Sequence, residues 1–281
     1  MSNLLMNAAR DREFVFEDAD FAALRKLVRE ITGIALSEQK RELVYGRLAR
    51  RLRTLGISSF REYRDLLARD TLEQAHLTNA ITTNLTSFFR EKHHFDHVRD
   101  QVLRPLAGQP ERRIRIWSAG CSTGEEPYSI AMTVAEALPD FARRDIRILA
   151  TDLDSEVLAK AEAGVYGQDR VQGMAPERMS KFFRETTDRG QQAWGVVPAL
   201  RSMISFKQLN LMHALPMQGP LDIIFCRNVI IYFDKDTQRD LFSRIRVLQR
   251  PGDLLCLGHS ESLFRVSEDY TSIGRTMYRR N

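Results

Sequence analysis

The segment from Ile114 to Ser129, IRIWSAGCSTGEEPYS, joins a short apolar strand to a helix through a turn of small residues. Glu125 and Glu126 fall in the first turn of that helix, where free backbone N–H groups favour acidic side chains. A strand, a glycine turn and a helix N-terminus together form the ligand-binding corner of a doubly wound α/β sheet. The spacing Gly120-x-x-x-Gly124 matches neither the dinucleotide fingerprint nor the P-loop. It therefore predicts a nucleoside ligand with a small charged tail, and a tight turn that binds nothing is the open alternative.

Two acidic residues follow the next apolar run, which we expect to be a strand at 146–150. Asp152 lies where the hydroxyl groups of a ribose would donate hydrogen bonds to a carboxylate. Its alternative role is to cap the helix predicted over 155–163. Asp154 lies immediately before that helix and is the better candidate for the cap. We therefore expect Asp152 to bind ribose.

Polar residues also follow two later apolar runs. Asn210-Leu211 follows ISFKQ, and Arg227-Asn228 follows the strand expected at 221–226. Because ligands of open α/β sheets bind beyond the carboxyl ends of the strands, both segments should line one pocket. Tyr232 belongs either to that pocket or to the core, which is the commoner place for an aromatic residue among isoleucines.

The elements that position these residues alternate between strand and helix from residue 113 to the end. Such alternation indicates a mostly parallel sheet covered by helices on both faces. The remaining elements expected are strand 114–117, helices 125–138 and 236–248, and strand 254–258. Residues 164–205 break the alternation with a helix at 176–184 and β-like runs at 194–197 and 203–206. We interpret 164–205 as a small inserted β subdomain.

Residues 14–90 are expected to form an N-terminal all-helical domain. Apolar residues recur there at helical spacing in four runs, the first two of which end at Gly33 and Gly56. In the second helix, at 37–55, the residues expected to face inward are Leu43, Val44, Leu48 and Leu52. Its opposite face is basic and carries Lys40, Arg41, Arg47, Arg50, Arg51 and Arg53. Residues 91–112 are polar, contain two prolines, and are expected to be a connector.

The composition excludes several classes of protein. Hydrophobic residues make up 43% of the chain and charged residues 28%, as in ordinary globular proteins. We find no apolar run long enough for a membrane helix and no secretory signal in MSNLLMNAARDREF. Three cysteines without a C-x-x-C pair predict reduced thiols and a cytoplasmic protein. The net charge of +5 permits an acidic partner without specifying one.

Three histidines, at 93, 94 and 97, include pairs at helical spacing that could bind a metal. The segment reads HHFDH instead of HExxH, and the sequence shows no further ligands. We therefore predict no metal site.

Several of these segments, with others, resemble the CheR family, bacterial enzymes that methylate glutamates of chemotaxis receptors with S-adenosylmethionine (SAM). The similar stretches are KRELVYGRLARRLR, ITTNLTSFFRE, WSAGCSTGEEPYSIAMT, ATDLDSEVL, FCRNVIIYFDKDTQ and RPGDLLCLGHSESL. They occur in family order over nearly the whole chain. The resemblance implies an N-terminal all-helical domain followed by a Rossmann-like, doubly wound methyltransferase sheet with the inserted β subdomain.

The resemblance also implies roles for particular residues. The contacts with SAM would come from Asn84, Thr86, Arg90, Gly120, Glu125, Asp152, Asn210, Leu211, Arg227 and Asn228. Arg90 and Tyr232 would lie near the transferred methyl group and act as the catalytic residues.

The implied partners are the cytoplasmic helices of transmembrane chemoreceptors, with no nucleic acid and no insertion into a membrane. The basic face, through Arg47, Arg50, Arg51 and Arg53, would dock an acidic receptor helix, and the inserted subdomain binds a receptor C-terminal peptide in some family members. Two alternatives remain. A nucleic-acid methyltransferase would share the fold, but the N-P-P-Y and Pro-Cys motifs are absent. A non-catalytic SAM-binding signalling module is less favoured because Arg90 and Tyr232 are both present.

Overall fold

The computed structural model describes residues 12–281, and the chain divides into two compact units between Thr83 and Asn84. Most of the segment inspected for a secretory signal, residues 1–14, lies outside the described residues. No helix in the described part of the chain is long and apolar enough to cross a membrane. The three cysteines are buried and form no disulfide in the part of the chain that the structure describes.

Amphipathic helices form the described part of the first unit. They are α1 (Asp18–Thr32), α2 (Arg41–Leu55), α3 (Phe60–Leu67) and α4 (Thr71–Ile81). As predicted, α1 and α2 end at glycines, Gly33 and Gly56. Leu43 was expected to face inward but is 41% exposed. The buried stripe of α2 follows every fourth residue, at Val44, Leu48 and Leu52, and Leu43 lies beside this stripe.

The second unit contains two sheets. Its strands are β1 (Ile114–Ala119), β2 (Ile146–Asp152), β3 (Val165–Gly167), β4 (Phe183–Asp188), β5 (Gln191–Val196), β6 (Ile204–Gln208), β7 (Ile223–Cys226), β8 (Leu254–Leu257), β9 (Tyr270–Gly274) and β10 (Met277–Arg280). The larger sheet has the order β6-β2-β1-β7-β8-β10-β9, and the smaller has the order β3-β5-β4. In the larger sheet the neighbouring strands β6, β2, β1, β7 and β8 are parallel to one another. Strand β10 pairs in an antiparallel direction with β8 on one side and with β9 on the other. This is the predicted doubly wound, mostly parallel architecture.

Helices precede and connect the strands of the second unit. They are α5 (His93–His97), α6 (Glu125–Ala137), α7 (Ser155–Ala163), α8 (Gln168–Val171), α9 (Pro176–Phe182), α10 (Pro198–Arg201) and α11 (Lys235–Ile245). Every residue of α6 except Glu136 is buried. Apart from Glu125 and Glu126, which form ion pairs, its buried residues are apolar, aromatic or small, as burial on all sides requires.

The inserted subdomain is shorter than predicted. Its sheet consists of β3, β4 and β5, and the polar stretch TTDRGQQ is the hairpin between β4 and β5. The β-like run at 203–206 belongs instead to β6, the edge strand of the larger sheet, which pairs in parallel with β2. A short apolar run is compatible with either sheet, and only pairing with β2 decides between them.

The boundary between the domains also differs from the prediction. Residues 84–90, which we expected in the helical domain, belong to the second unit. The expected connector at 91–112 is largely helical, with α5 followed by further helical turns through Leu106. Phe95, Val98 and Leu103 are buried in the apolar core of the second unit. These few apolar side chains among many charged ones anchor the segment, so its polar composition misled the prediction.

The sequence pattern did not indicate the hairpin of β9 and β10. The two residues that connect these strands, Arg275 and Thr276, both have positive φ angles, 50° and 58°. Tight hairpin turns of this kind usually contain Asn-Gly or Asp-Gly, and here neither residue provides that signal.

Candidate active site

The parallel strands bring the predicted ligand-binding segments to one edge of the larger sheet. Strands β6, β2, β1 and β7 are neighbours and run in the same direction, so their carboxyl ends meet at that edge. The glycine turn follows β1, Asp152 ends β2, Asn210 follows β6 and Arg227 follows β7. Open α/β sheets bind their ligands at this edge.

Two glycines shape the turn between β1 and α6. Gly120 and Gly124 have φ angles of +85° and +96°, which side-chain-bearing residues rarely adopt. A Cβ atom on Gly120 would lie 2.3 Å from Cγ2 of Val229, and one on Gly124 would lie 2.8 Å from Cβ of Ala161. The turn therefore requires glycine for its conformation and for the close approach of its neighbours.

Asp152 connects the end of β2 to the glycine turn. Its carboxylate accepts hydrogen bonds from the backbone N–H of Ser122 at 2.7 Å and of Asp154 at 3.0 Å. Burial raises the pKa of Asp152, although these hydrogen bonds act in the opposite direction. Asp154 accepts from the first N–H groups of α7, so its predicted role as the cap is confirmed. The ribose contact of Asp152 stays a prediction.

The segment from Asn84 to Glu91 lies along the same edge. The carbonyl of Asn84 accepts a hydrogen bond from the Ser122 hydroxyl at 3.1 Å, and its side-chain amide donates to Asp154 at 2.8 Å. The N–H of Phe89 donates to the hydroxyl of Ser129 at 2.9 Å. These bonds place the predicted contact residues Asn84, Thr86 and Arg90 beside the turn.

The side chain of Arg227 is buried beneath these loops. Its Nη1 donates to Glu126 at 2.9 Å, and its Nη2 lies 3.3 Å from Oε2 of Glu91 and also donates to the carbonyl of Arg90. Arg227 was predicted to contact the cofactor. Its guanidinium instead meets two carboxylates and a backbone carbonyl, because a charge that is buried must be paired. The side chain thus links the end of β7 to α6 and to the segment that carries Arg90, and the predicted cofactor contact of Arg227 stays a prediction.

Arg90 and Tyr232, the predicted catalytic pair, interact electrostatically. Burial raises the pKa of the Tyr232 phenol, and the positive charge of Arg90 partly opposes that rise. Nη1 of Arg90 donates to the carbonyl of Leu85 at 3.0 Å. Both side chains are half-buried. The structure therefore brings a cation and a phenol together, although they are far apart in the sequence.

Glu261 supports the loop that carries Tyr232. Its buried carboxylate accepts the N–H groups of Gly258 at 2.6 Å, Asn228 at 2.8 Å and Ile231 at 3.3 Å. Burial raises the pKa of Glu261, and these hydrogen bonds oppose the rise. The carboxylate thus holds Asn228, which has a φ of 60°, in a conformation that few residues adopt.

Glu125 is completely buried at the first position of α6. Its carboxylate accepts from the hydroxyl of Thr123 at 2.6 Å and forms an ion pair with Arg170 of α8, whose Nε donates at 3.0 Å. Nη2 of Arg170 also donates to the carbonyl of Thr86 at 3.1 Å. Arg170 thus connects two of the predicted cofactor contacts.

The last predicted segment follows β6. Oδ1 of Asn210 accepts the N–H of Met212 at 3.0 Å, which fixes a local turn. Leu211 is 8% exposed and packs in the apolar cluster that contains Trp117. The side chain of Leu211 is therefore part of the core, and a contact with a ligand would come from its backbone.

The histidines come together with Glu91. One ligand atom each from Glu91, His93 and His94 lies within 4.8 Å of the others, a grouping found among residues 12–281. Two observations oppose a bound cation. Arg227 is only 3.3 Å from the Glu91 carboxylate, and Nε2 of His94 lies 3.0 Å from the carbonyl of Arg275. The expectation of no metal stays a prediction.

The basic face of α2 is only partly available for docking. Nη1 of Arg47 donates to two carbonyls near the end of α4, at 2.9 and 2.7 Å. Arg51 forms a bidentate ion pair with Glu73, whose side chain is 3% exposed. These bonds stabilise the helical unit, and the docking role of the two arginines stays a prediction. Arg50 and Arg53 are exposed.

Sequence reasoning missed several residues that support the site. They are Glu91, Glu126, Tyr166, Arg170 and Glu261. Glu91, Glu126 and Glu261 occur inside the quoted motifs, and the mixture of buried apolar and charged residues in those motifs was the available signal. Tyr166 donates to the carbonyl of Thr123 at 2.9 Å. It and Arg170 belong to the insertion, where no pattern indicated a role.

Comparison with known families decides what kind of site this is. Residues 84–279 match the family described as CheR methyltransferase, SAM binding domain, and residues 19–82 match CheR methyltransferase, all-alpha domain. The chain belongs to the CheR methyltransferase family.

Similar curated proteins support this family membership over the full length. Chemotaxis protein methyltransferase 2 of Pseudomonas aeruginosa is 46% identical over 269 residues, covering 95% of both chains. A probable chemotaxis protein methyltransferase of Rhizobium etli is 43% identical over 88% of this chain and 94% of its own. The chemotaxis protein methyltransferase of Escherichia coli K12 is 40% identical over 93% and 90%, respectively. This chain is accordingly a SAM-dependent methyltransferase.

The residues at the sheet edge fit SAM. Asp152 would provide an acceptor for the ribose, and the glycine turn leaves no side chain at the point where β1 ends. Glu125 and Arg170 form an ion pair beside the turn. These features match a nucleoside with a small charged tail, as the spacing of the turn predicted.

Gly120→Ala should destabilise the protein and weaken the binding of S-adenosylhomocysteine (SAH), the product of SAM. The variant combines an unfavourable φ, which costs about 1–3 kcal/mol, with a collision against Val229. Gly173 is a matched control, since its φ is +86° and a Cβ there would meet nothing within 4 Å. Gly173→Ala should lose stability only. Thermal melts measure the stability of each variant, and calorimetric titration measures its affinity for SAH. Equal losses of stability and of affinity in the two variants would contradict a role for the close approach of Gly120 to Val229.

Acidification should destabilise the protein through His94. Burial, and then the charge of Arg227, lowers the pKa of His94 from 6.5 to about 4. At a pH between these two pKa values, His94 binds a proton in the unfolded chain but not in the folded chain. The stability that comes from keeping His94 neutral is therefore complete above the unfolded-state pKa of 6.5. As the pH falls below that value, the free energy of unfolding decreases by about 1.4 kcal/mol per pH unit.

His94→Gln removes this titration and retains an N–H donor for the Arg275 carbonyl. Urea unfolding at several pH values should show that its free energy of unfolding falls less steeply between pH 6.5 and pH 4 than that of the wild type. Parallel pH profiles for both proteins would rule out the effect.

Proposed function

We propose that this enzyme transfers the methyl group of SAM to glutamate side chains of transmembrane chemoreceptors, which forms methyl esters. The observation that carries the proposal is the family match over residues 84–279, and the electrostatic interaction between Arg90 and Tyr232 supports it. The names of the similar chemotaxis methyltransferases support a receptor as the substrate. SAM, when bound, supplies an activated methyl group.

The reaction requires positioning more than acid–base catalysis. A glutamate carboxylate has a pKa of about 4.3 in water, so it is already ionised near neutral pH and needs no base. The guanidinium of Arg90 would orient this carboxylate, and the hydroxyl of Tyr232 would fix it by a hydrogen bond. The protein's contribution is to hold the reacting groups in line and to exclude water while charge is neutralised.

An acidic receptor helix would dock on the exposed part of the basic face, at Arg50 and Arg53. Arg53 also pairs with Glu13, at 2.8 Å, so docking there would compete with an existing ion pair. We therefore expect Arg50 to contribute more than Arg53 to the association with the receptor.

A receptor C-terminal peptide would bind the inserted subdomain by extending its small sheet. Strand β4 is at the edge of that sheet, and its residues after Phe183 are exposed. An exposed edge strand presents unpaired N–H and carbonyl groups to which an extended peptide can add. Titration of receptor tail peptides tests this binding mode.

Transfer of labelled methyl groups tests the proposed substrate. Receptor-rich membranes should become labelled, and the label should be released by mild base because esters hydrolyse readily. Labelling of nucleic acid instead would favour the alternative substrate class, and no transfer to any acceptor would favour a SAM-binding signalling module.

Arg90→Ala and Tyr232→Phe should slow methyl transfer far more than they destabilise the fold. A misplaced reacting atom costs on the order of a hundredfold in rate. Single-turnover transfer at saturating SAM and receptor, together with thermal melts, separates these effects. The SAH affinity of Tyr232→Phe should change little, whereas Arg90→Ala has some loss because Arg90 is also a predicted SAM contact. Near-normal transfer by both variants would overturn the positioning role.

Arg50→Glu should slow receptor methylation several-fold at low salt, because reversing one charge weakens electrostatic association. SAH affinity should not change. Arg61→Glu is the matched control, since Arg61 is an exposed arginine on α3. Equal rates for both variants at low ionic strength would show that the face near Arg50 does not dock the receptor.

A further inference from the structure

Arg170 and Glu125 form a pair of opposite charges beside the glycine turn. Glu125 is completely buried, and the side chain of Arg170 is 36% exposed. Nε and Nη2 of Arg170 face Glu125, and Nη2 also meets the carbonyl of Thr86. One edge of the guanidinium is therefore occupied by the protein.

The other edge of the guanidinium is available. Nη1 of Arg170 donates no hydrogen bond to any residue in the part of the chain that the structure describes. A guanidinium has five N–H donors in a rigid plane, and the two on Nη1 suit a carboxylate oxygen. Arg170 can thus keep its bond with Glu125 and still bind an anion.

We propose that Arg170 binds the carboxylate of the methionine tail of SAM, and that Glu125 binds the ammonium group of the same tail. A tail with one positive and one negative charge is complementary to a neighbouring Glu–Arg pair, because each charge then meets its opposite. This assignment deepens the proposed function and rests on its use of SAM as the methyl donor. It gives the inserted subdomain, which provides Arg170, a role in binding the cofactor as well as in receptor docking.

The competing explanation is purely structural, namely that the ion pair fastens α8 to the glycine turn. The hydrogen bond from Tyr166 to the carbonyl of Thr123, at 2.9 Å, already fastens the same insertion. The two explanations differ in their dependence on the ligand. A structural role affects all ligands equally, whereas a carboxylate-binding role affects only ligands that have the carboxylate.

Calorimetric titration with two ligands distinguishes these roles. SAH has the complete tail, and S-adenosyl-3-thiopropylamine lacks only the carboxylate. The wild type should prefer SAH at least tenfold. Arg170→Gln should weaken SAH binding by roughly 10- to 100-fold, in the range expected for a charge-assisted hydrogen bond, and should leave the affinity for the amine within about threefold.

Two further variants guard against loss of structure. Arg170→Lys keeps the charge beside Glu125 but lacks the planar fork, so its preference for SAH should be intermediate even if Arg170→Gln unfolds. Arg184→Gln is the control for net charge, since Arg184 is in the same insertion and donates to carbonyls of Ser180 and Phe183. Its ligand preference should match the wild type.

The remaining outcomes separate failure of this assignment from failure of the proposed function. An equal loss for both ligands in Arg170→Gln, or no preference for SAH in the wild type, would assign Arg170 a structural role only. Normal ligand preference combined with absent receptor methylation would instead refute the proposed substrate and leave the assignment of Arg170 intact. Failure of the wild type to bind SAH would refute both.

Discussion

The interaction on which the site depends is the buried ion cluster of Arg227, Glu126 and Glu91. It lies where β7 ends and connects that strand end to the first turn of α6 and to the segment that carries Arg90. Burial raises the pKa of Glu126 despite its contact with Arg227. For Glu91, burial acts in the same direction, but Arg227 and His259 outweigh it and lower the pKa. Removing one partner from such a cluster typically costs about 3–5 kcal/mol, because the others become buried unpaired charges.

This cluster explains how the backbone around Arg90 keeps an unusual shape. Phe89 and Glu91 have φ angles of 53° and 57°, and neither residue is a glycine. Conformations of this kind cost about 1–3 kcal/mol each and persist only where several interactions fix them. The bond from Phe89 to Ser129, that from Arg227 to the carbonyl of Arg90, and the pairing of Glu91 with His259 provide this fixation. The backbone of Arg90 is thereby fixed, and Nη1 of its side chain donates to the carbonyl of Leu85.

The sequence was sufficient for the parts of the structure that follow from local rules. Alternating strands and helices predicted the parallel sheet, and the residue just before α7 was correctly identified as its cap. The prediction failed where distant pairing decides the outcome. Strand β6 was placed in the insertion because its apolar run fits either sheet, and the turn at Arg275-Thr276 has no glycine to indicate a hairpin.

The candidate site shows the same division between local and distant information. The position of Asp152 could be predicted because it follows a recognisable strand. The position of Arg227 at the end of a strand could be predicted as well. The partners of its side chain could not, because Glu91 and Glu126 are remote from it in the sequence. For Arg170 no pattern existed at all. A lone arginine in a polar segment acquires meaning only when the fold places it against Glu125.

The electrostatics of the site explain why it suits transfer between groups that are already reactive. Burial raises the pKa values of Cys121 and Tyr166, so the thiol and the phenol near the turn stay protonated at neutral pH. Neither is a nucleophile in that state. Arg227, Glu126 and Glu91 are paired with one another, whereas Arg90 and Arg170 are partly exposed. Such a site would orient its substrates by electrostatic interactions, and the new bond would form directly between the carboxylate and the methyl donor.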